Sequence, residues 1–185
     1  MTNVYLLTGN PGKIAAANAV FNRYGIEVEP LKLDIPEIQA DNSKEIATAA
    51  AIEAHQQTGK SVIREDHSFY IDALGMPGPF MAYIDKTISV EQLLKILNTL
   101  PSREGHFELA ATYVDETGTA HEFSYSVPVV FSQEARGDES MRWERIIQFA
   151  DDPRTFAEYP ESERADYWTK NYEAIAALIQ NDAQN

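Results

Sequence analysis

The loop Thr8–Lys13, which reads TGNPGK, contains three residues that could bind an anion. Thr8 and Asn10 offer side-chain donors, and Lys13 adds a positive charge where a helix is expected to begin. A glycine-containing turn from strand to helix also directs backbone N–H groups and the positive helix end at an anion. The alternative is an ordinary turn with an incidental lysine, because short glycine loops are common. Taken alone, the loop leaves both interpretations open.

Three carboxylates could bind a metal ion. Glu65 and Asp66 are adjacent at the predicted end of a β-strand, where ligands collect in α/β sheets, and such a pair suits a metal and the water it activates. Glu37, fixed by the preceding Pro36, could complete the metal shell. Magnesium keeps several waters, so one or two carboxylates and phosphate oxygens suffice. The alternatives are a solvated strand end for the pair and a surface loop position for Glu37.

The remaining candidate residues give weaker evidence for a chemical function. Leu74–Phe80 is a dense Gly/Pro segment that either brings backbone close to a ligand or simply ends a strand at residues 69–73. The histidines at positions 55, 67, 106 and 121 lack metal-ligand spacing, and His67 is expected to be a polar loop residue. The absence of cysteine excludes a disulfide and a thiolate metal site. No serine lies in a nucleophile-elbow context, so covalent acyl transfer has no support.

The elements that must position these residues are those of an α/β protein with a mixed sheet. Apolar runs and alternation predict strands at residues 4–7, 26–31, 61–64, 69–73, 107–114 and 121–131. Apolar residues at helical spacing predict helices at residues 13–24, 43–58 and 89–97 and from about residue 159 onward. The chain therefore begins as a β-loop-α-β unit, with Lys13 at the start of the first helix.

Length and composition favour one globular domain, with room for two lobes. The chain has 185 residues, of which 44% are hydrophobic and 24% are charged. Its net charge of −14 argues against general nucleic-acid binding, which relies on clustered Lys and Arg. A small phosphorylated ligand stays compatible if a divalent cation and local donors neutralise it. We expect a cytoplasmic protein, because no basic region precedes the first strand and no apolar run approaches the roughly 20 residues that span a bilayer.

The order of these segments resembles the inosine triphosphate pyrophosphatase family, whose members hydrolyse non-canonical purine nucleoside triphosphates to the monophosphate and pyrophosphate. The resemblance rests on TxNxxK at residues 8–13, IPEIQ at 35–39, ED at 65–66 and DALGMPGPF at 72–80. It covers residues 4 to about 100 and returns in TFAE at residues 155–158. It implies an elongated mixed sheet flanked by helices, two lobes with an active cleft between them, and commonly a homodimer.

The resemblance also implies roles for individual residues. It assigns the triphosphate to Thr8, Asn10 and Lys13. It assigns magnesium to Glu37 and Asp66, with Glu65 beside them. A carboxylate of this set would orient or deprotonate the water that attacks the α-phosphorus, and Lys13 would offset the charge of the pyrophosphate leaving group. The resulting catalytic set is Asp66, Glu65 and Lys13.

The chain departs from the family pattern in the segments that read the base. A Gly-aromatic-Asp-Pro-x-Phe segment is expected near Trp143, where this chain has RWERII, and a Ser-His-Arg segment is expected at residues 168–170, where it has WTK. A lysine expected near residues 50–51 is replaced by alanine. Trp143 could still stack on a base while Glu144 or Lys170 reads its edge; the alternative is a Trp that packs within a lobe. Because base pockets discriminate through buried polar groups, these changes predict retained chemistry with an altered base preference.

Two other functions are compatible with the same residues. A nucleotide pyrophosphatase of the septum-formation-inhibitor type would share the fold, but that type usually opens with Ser-x-Ser-x-x-Arg rather than TxNxxK. A non-catalytic nucleotide-binding protein would explain the altered second half of the chain. The intact residues Lys13, Glu37 and Asp66 argue against that second alternative.

Overall fold

The computed structural model describes residues 3–182, without the side chains of residues 161 and 162. The strands in this range are β1 (Asn3–Leu7), β2 (Glu27–Leu31), β3 (Val62–Ile71), β4 (Met76–Gly78), β5 (Glu104–Val114), β6 (Ala120–Phe131) and β7 (Ile147–Phe149). The α-helices are α1 (Pro11–Phe21), α2 (Ser43–Thr58), α3 (Met81–Thr87), α4 (Val90–Leu97), α5 (Glu161–Arg164) and α6 (Lys170–Asp182). Short 3₁₀ turns follow α1, precede β7 and follow α5.

The sheet is mixed, which confirms the predicted fold class. Its strand order is β2-β1-β3-β5-β6-β7, and β4 pairs with β3. β1 is parallel to β2 and β3, whereas β4 is antiparallel to β3 and β7 is antiparallel to β6. The chain divides into two compact units. The first contains the chain up to Asp66, Leu109–Tyr125 and the chain from Ala165; the second contains His67–Glu108 and Ser126–Arg164.

The core of the first unit joins β1 to helices α1 and α6. Leu6 of β1 is fully buried and belongs to one apolar cluster with Phe21 of α1 and with Tyr172 and Ile175 of α6. The rings of Phe21 and Tyr172 lie 6.1 Å apart, centroid to centroid. Burial of each such side chain stabilises the fold by about 1.5–3 kcal/mol. This core therefore sets the position of α6 against the strand whose end carries the candidate anion loop.

The two long helices of the first unit begin and end where capping residues allow. α1 starts at Pro11, earlier than predicted, because Asn10 caps it, and a 3₁₀ turn carries the chain on to Gly25. Gly25 has φ of 68°, a left-handed conformation that glycine adopts without a Cβ penalty. α2 matches its prediction, since the side chain of Asn42 accepts a hydrogen bond from the backbone N–H of Glu45.

The third strand is longer than predicted, and this changes the position of the acid pair. β3 runs without interruption from Val62 to Ile71, so Glu65 and Asp66 lie inside the strand rather than at its end. His67, predicted to lie in a loop, is also a strand residue. Polar residues obscure the alternation here, but β3 is a central strand and its hydrogen-bonded neighbours on either side hold it extended. After Ile71 a short turn leads to β4, so the Gly/Pro segment closes a hairpin.

The second unit contains helix α3 and the short strands β4 and β7, which the periodicity did not predict. Helix α4 was predicted and begins with a capping box, in which Ser89 and Gln92 satisfy each other's backbone N–H groups. Trp143, Phe149 and Phe156 are buried in this unit, and the rings of the latter two lie 4.5 Å apart. The predicted C-terminal helix from residue 159 is divided into α5, a 3₁₀ turn and α6. Within the described range, no helix has the length and apolarity required to cross a membrane.

Candidate functional site

The loop that follows β1 is organised by its own side chains. Asn10 is the N-cap of α1, and its Oδ1 accepts hydrogen bonds from the backbone N–H groups of Gly12 and Lys13, at 2.8 and 3.4 Å. Thr8 Oγ1 accepts from the backbone N–H of Asn10 at 3.1 Å. A Cβ on Gly12 would lie 3.2 Å from Asn10 Oδ1, which explains the glycine there. The structure therefore confirms a strand-to-helix loop.

The same geometry corrects the predicted way in which this loop would bind an anion. The backbone N–H groups of Gly12 and Lys13 already donate to Asn10 Oδ1, and that of Ile14 donates to Asn10 O at 3.1 Å. Pro11 has no N–H to offer. In this conformation the first turn of α1 therefore contributes its dipole but not its amide hydrogens. An anion would therefore depend on the helix dipole and on side-chain donors.

Lys13 reaches across from α1 to β3. Its Nζ donates a hydrogen bond to the backbone oxygen of Glu65 at 2.9 Å and lies 3.9 Å from Glu65 Oε2. The same Oε2 accepts a 2.8 Å hydrogen bond from the hydroxyl of Tyr172 on α6. Glu65 is 3% exposed and Tyr172 is fully buried. The ammonium of Lys13 is thus held by a buried carboxylate that is itself held by the C-terminal helix.

Charged groups collect around Lys13. Burial lowers the pKa of Lys13 below its ordinary value; Glu65 and Asp66 oppose this shift, Arg64 adds to it, and Glu37 opposes it. Desolvation disfavours the ammonium, while neighbouring carboxylates favour it. The predicted carboxylates of the metal and catalytic sets therefore all lie close enough to Lys13 to act on its charge. The structure brings them together in the first unit.

Arg64 links the end of β1 to the Glu37 segment. Its Nη1 donates to the backbone oxygen of Leu7 at 3.2 Å, and its Nη2 donates to Glu37 Oε1 at 2.6 Å. A cavity of about 400 Å³ opens beside this pair. Its wall includes Thr8, Gly9, the residues 31–35, Glu37, Ala50 and Arg64. An arginine guanidinium thus lines a cavity at the carboxyl end of the first strand, a position where α/β sheets bind ligands.

Glu37 and Asp66 supply the type of ligand that magnesium prefers. The side chain of Glu37 is 56% exposed, and Asp66 is half-buried. Because side chains alternate along a strand, Arg64 and Asp66 point to one face of β3 and Glu65 to the other. Across residues 3–182, no three His, Asp or Glu side chains are grouped so as to hold a metal ion themselves. Two carboxylates fit an ion that takes its other ligands from phosphate and water.

The predicted base-reading residues divide between the two units. Trp143 and Glu144 belong to the second unit. Trp143 is 1% exposed, and its indole N–H donates to the backbone oxygen of Ile88 at 2.9 Å. The structure therefore gives Trp143 a packing position rather than the exposed ring face that stacking on a base requires. Glu144 is half-buried, with Arg164 Nη1 3.7 Å from its Oε2.

Lys170 belongs to the first unit and is exposed at the start of α6. Its Nζ lies 5.5 Å from the ring centroid of Tyr125, within the range of a cation–π contact. Two residues of the charged cluster, Arg64 and Tyr172, escaped prediction from sequence. Arg64 directly precedes the acid pair, and that adjacency was the available signal. Tyr172 is 107 residues from its partner Glu65, so no local pattern identifies it.

Comparisons with known proteins agree with this fold. The model of the Ham1 family matches residues 4–181. A protein named dITP/XTP pyrophosphatase from Methanopyrus kandleri is 35% identical over 182 residues, which cover 97% of each chain. A Trypanosoma cruzi protein named inosine triphosphate pyrophosphatase 1 is 29% identical over 163 residues, covering 87% of this chain and 83% of that protein.

The fold has a close counterpart among solved structures. A HAM1 protein from Coxiella burnetii superimposes with a TM-score of 0.81, covering 98% of this chain and 100% of that one at 20% identity. At that identity the superposition establishes the fold alone. The family match extends over nearly the whole described chain, and the Methanopyrus protein matches at 35% identity over almost its full length. The chain therefore belongs to the Ham1 family.

Proposed function

We propose that this protein is a nucleoside triphosphate pyrophosphatase that cleaves the bond between the α- and β-phosphates. The observation that carries the proposal is the cluster around Lys13, whose partly buried ammonium lies 3.9 Å from Glu65 Oε2 and within electrostatic range of Asp66 and Glu37. Several relatives are named dITP/XTP pyrophosphatase, which supports the same reaction. Binding a polyanion with a divalent cation also agrees with a net charge of −14, because the cation and local donors neutralise the phosphates.

The proposed triphosphate contacts are made by side chains. Lys13 would place its positive charge against the leaving pyrophosphate, and the start of α1 adds the positive end of its dipole. Thr8 lines the cavity, so its hydroxyl could donate to a phosphate oxygen while its Oγ1 still accepts from Asn10 N–H. The side chain of Asn10 caps the helix through Oδ1, which leaves its amide NH₂ as the group for phosphate.

We propose magnesium as the cofactor, with Glu37 and Asp66 as its protein ligands. An ion bound there would neutralise phosphate charge and make the α-phosphorus more electrophilic. Asp66 is half-buried on β3, so its carboxylate is also the group best suited to orient or deprotonate the attacking water. Both roles of Asp66 favour a carboxylate, because an amide brings no negative charge to the cation and cannot take a proton from water.

Glu65 has a different proposed role from Asp66. Its carboxylate is buried and accepts from Tyr172, and this position argues against the direct catalytic role assigned to it from sequence. A carboxylate in this position instead holds the ammonium of Lys13 in place and compensates part of the cost of burying it. We therefore treat Glu65 as a positioning residue for Lys13.

Substrate range and assembly complete the proposal. The names of the relatives favour inosine and xanthosine nucleotides, with a shifted preference because the segments near Trp143 and residues 168–170 differ from the family pattern. We also propose a cytoplasmic, single-domain protein that forms a homodimer. Four exposed apolar side chains of the β4–α3 region support the dimer: Leu74, Met76, Phe80 and Tyr83. Light scattering after size-exclusion chromatography would measure the oligomeric mass.

A substrate panel tests the proposed activity. Purified protein with Mg²⁺ is incubated with canonical, deaminated and modified triphosphates, and pyrophosphate and orthophosphate are measured separately. Pyrophosphate from inosine or xanthosine triphosphate is the expected result. Orthophosphate as the product would contradict cleavage at the α–β bond. If nothing is hydrolysed but nucleotides raise the melting temperature, the protein is a nucleotide-binding member of the family and the enzymatic proposal fails.

A further inference from the structure

Arg64 donates two hydrogen bonds, and their acceptors differ in how easily another ligand can replace them. Its Nη1 donates to the backbone oxygen of Leu7, the last residue of the interior strand β1. Its Nη2 donates to Glu37, whose side chain is more than half exposed. An ion pair with an exposed carboxylate contributes little stability, because water competes for both partners. The hydrogen bond to Leu7 therefore holds the guanidinium in place, whereas the ion pair with Glu37 can be exchanged for another ligand.

The third nitrogen of the Arg64 guanidinium, Nε, is buried and donates no hydrogen bond within the described part of the chain. A buried donor without a partner is unfavourable, so a rearrangement that satisfies it is favoured. The Nε and Nη2 groups of arginine form a planar fork whose spacing matches two oxygens of a phosphate. A phosphate that binds there would accept one hydrogen bond from Nε, which has no partner, and one from Nη2, which now donates to Glu37.

The position of Arg64 agrees with such a ligand. It lines the 400 Å³ cavity together with Thr8 and Gly9, the first residues of the anion loop. Lys13 donates to the backbone oxygen of Glu65, the residue that follows Arg64, so two cations lie beside the same stretch of β3. Since the amide hydrogens of the first turn of α1 are occupied by Asn10, side chains have to supply donors in their place.

We propose that Arg64 is a phosphate-binding residue of the nucleotide site, and that Glu37 holds it in reserve until the nucleotide arrives with a divalent cation. Glu37 then pairs with the guanidinium of Arg64 before the nucleotide binds and with the divalent cation afterwards. Its transfer to the cation releases Nη2 and allows the fork to turn onto a phosphate oxygen. This inference rests on the proposed function, because it assigns a new residue to the same triphosphate site.

Binding of inorganic tripolyphosphate, measured by calorimetry at fixed ionic strength with Mg²⁺, tests the contact itself. Arg64→Met keeps much of the aliphatic stem and removes the fork; it is expected to weaken binding about 10- to 100-fold, the effect of losing a hydrogen bond to a charged group. Arg64→Lys keeps the positive charge without the fork, so its affinity for tripolyphosphate should lie between those of the wild type and of Arg64→Met. Arg23→Met removes the same charge from an exposed pair with Glu173 and should leave binding unchanged.

The exchange with Glu37 is tested without a divalent cation. Glu37→Gln should bind tripolyphosphate about two- to fivefold more tightly than the wild type, since it releases Arg64 from a surface ion pair. The same substitution in the Arg64→Met background should give no such gain, because no guanidinium remains to be released. An equal gain in both backgrounds would show a general effect of charge and would overturn the exchange.

Several outcomes separate this inference from the proposed function. If Arg64→Met binds tripolyphosphate as the wild type does, Arg64 is only a structural link between β3 and residue 37, and the inference fails. If Arg64→Met unfolds, Arg64→Lys decides the matter, because it keeps the charge and loses the fork, and wild-type binding by this variant would overturn the inference. If the wild type binds tripolyphosphate through Arg64 but hydrolyses no nucleoside triphosphate, the inference stands and the proposed enzymatic function fails.

Discussion

Removal of the Tyr172 hydroxyl tests the support of Lys13 most sharply. Tyr172→Phe deletes one oxygen, and with it the 2.8 Å hydrogen bond to Glu65 Oε2. Burial, followed by the neighbouring Glu65 carboxylate, raises the pKa of Tyr172 well above its ordinary value, so the phenol remains a donor throughout the usual pH range. The hydrogen bond is therefore present in every ordinary buffer, and its loss is not masked by ionisation.

The magnitude follows from burial and charge. Tyr172 is fully buried and Glu65 is 3% exposed, so the carboxylate cannot replace the lost donor with bulk water. Loss of a hydrogen bond to a charged group costs about 1.5–3 kcal/mol. Tyr125→Phe is a matched control, because its hydroxyl donates at 2.7 Å to the neutral backbone oxygen of Tyr167 and is only partly buried. Loss of that bond is expected to cost about 0.5–1.5 kcal/mol.

Urea unfolding of both variants and of the wild type measures the difference. Equal slopes with denaturant would show that only stability has changed. We also expect Tyr172→Phe to lower kcat/KM about tenfold, because a small displacement of Lys13 misplaces its charge against the triphosphate. Tyr125→Phe, which leaves the Glu65 hydrogen bond intact, should stay close to the wild type. A free energy of unfolding for Tyr172→Phe no lower than that for Tyr125→Phe would refute the reasoning.

Three further predictions concern the charged cluster and the second unit. Lys13→Ala and Asp66→Asn should each remove most activity, about 100-fold or more in kcat, and normal turnover in either would exclude its assigned role. Because burial lowers the pKa of Lys13, its ammonium loses its charge below pH 10.5, and triphosphate affinity should decline as the pH rises toward that value. The free energy of unfolding should increase over the same pH window, because the unfolded chain binds more protons there. Lys13→Arg should keep its affinity at alkaline pH, and an unchanged alkaline decline would assign the titration to another group. Trp143→Ala should lower the free energy of unfolding by about 3–5 kcal/mol. Trp143→Phe should lower the melting temperature without raising KM. A raised KM at unchanged stability would instead indicate that Trp143 stacks on the base.

Local sequence patterns predicted the parts of this molecule that local forces determine. The β1-loop-α1 unit could be located because Pro11 and Gly12 interrupt an apolar strand and Asn10 provides a helix cap. The Glu65–Asp66 pair was found but placed at a strand end, because the polar residues that follow hide the alternation. The neighbouring strands of the sheet keep that segment extended, and those neighbours are distant in sequence.

The contacts that organise the charged cluster lie beyond the reach of sequence patterns. Arg64 meets Leu7 and Glu37, which are 57 and 27 residues away. Tyr172 comes from the last helix and reaches β3 only because α6 packs in the same core as β1. The loop at residues 8–13 was also predicted to offer its backbone amides to an anion, whereas Asn10 accepts hydrogen bonds from two of them. A sequence shows which residues can donate, but the fold decides which donors remain available.

The site of water attack is the most direct test of the proposed chemistry. Inosine triphosphate is hydrolysed with Mg²⁺ in water enriched in ¹⁸O, and the products are analysed by mass spectrometry. Attack at the α-phosphorus predicts one ¹⁸O in the nucleoside monophosphate and none in the pyrophosphate. Label in the pyrophosphate or in orthophosphate would place the attack at another phosphorus and would contradict the account.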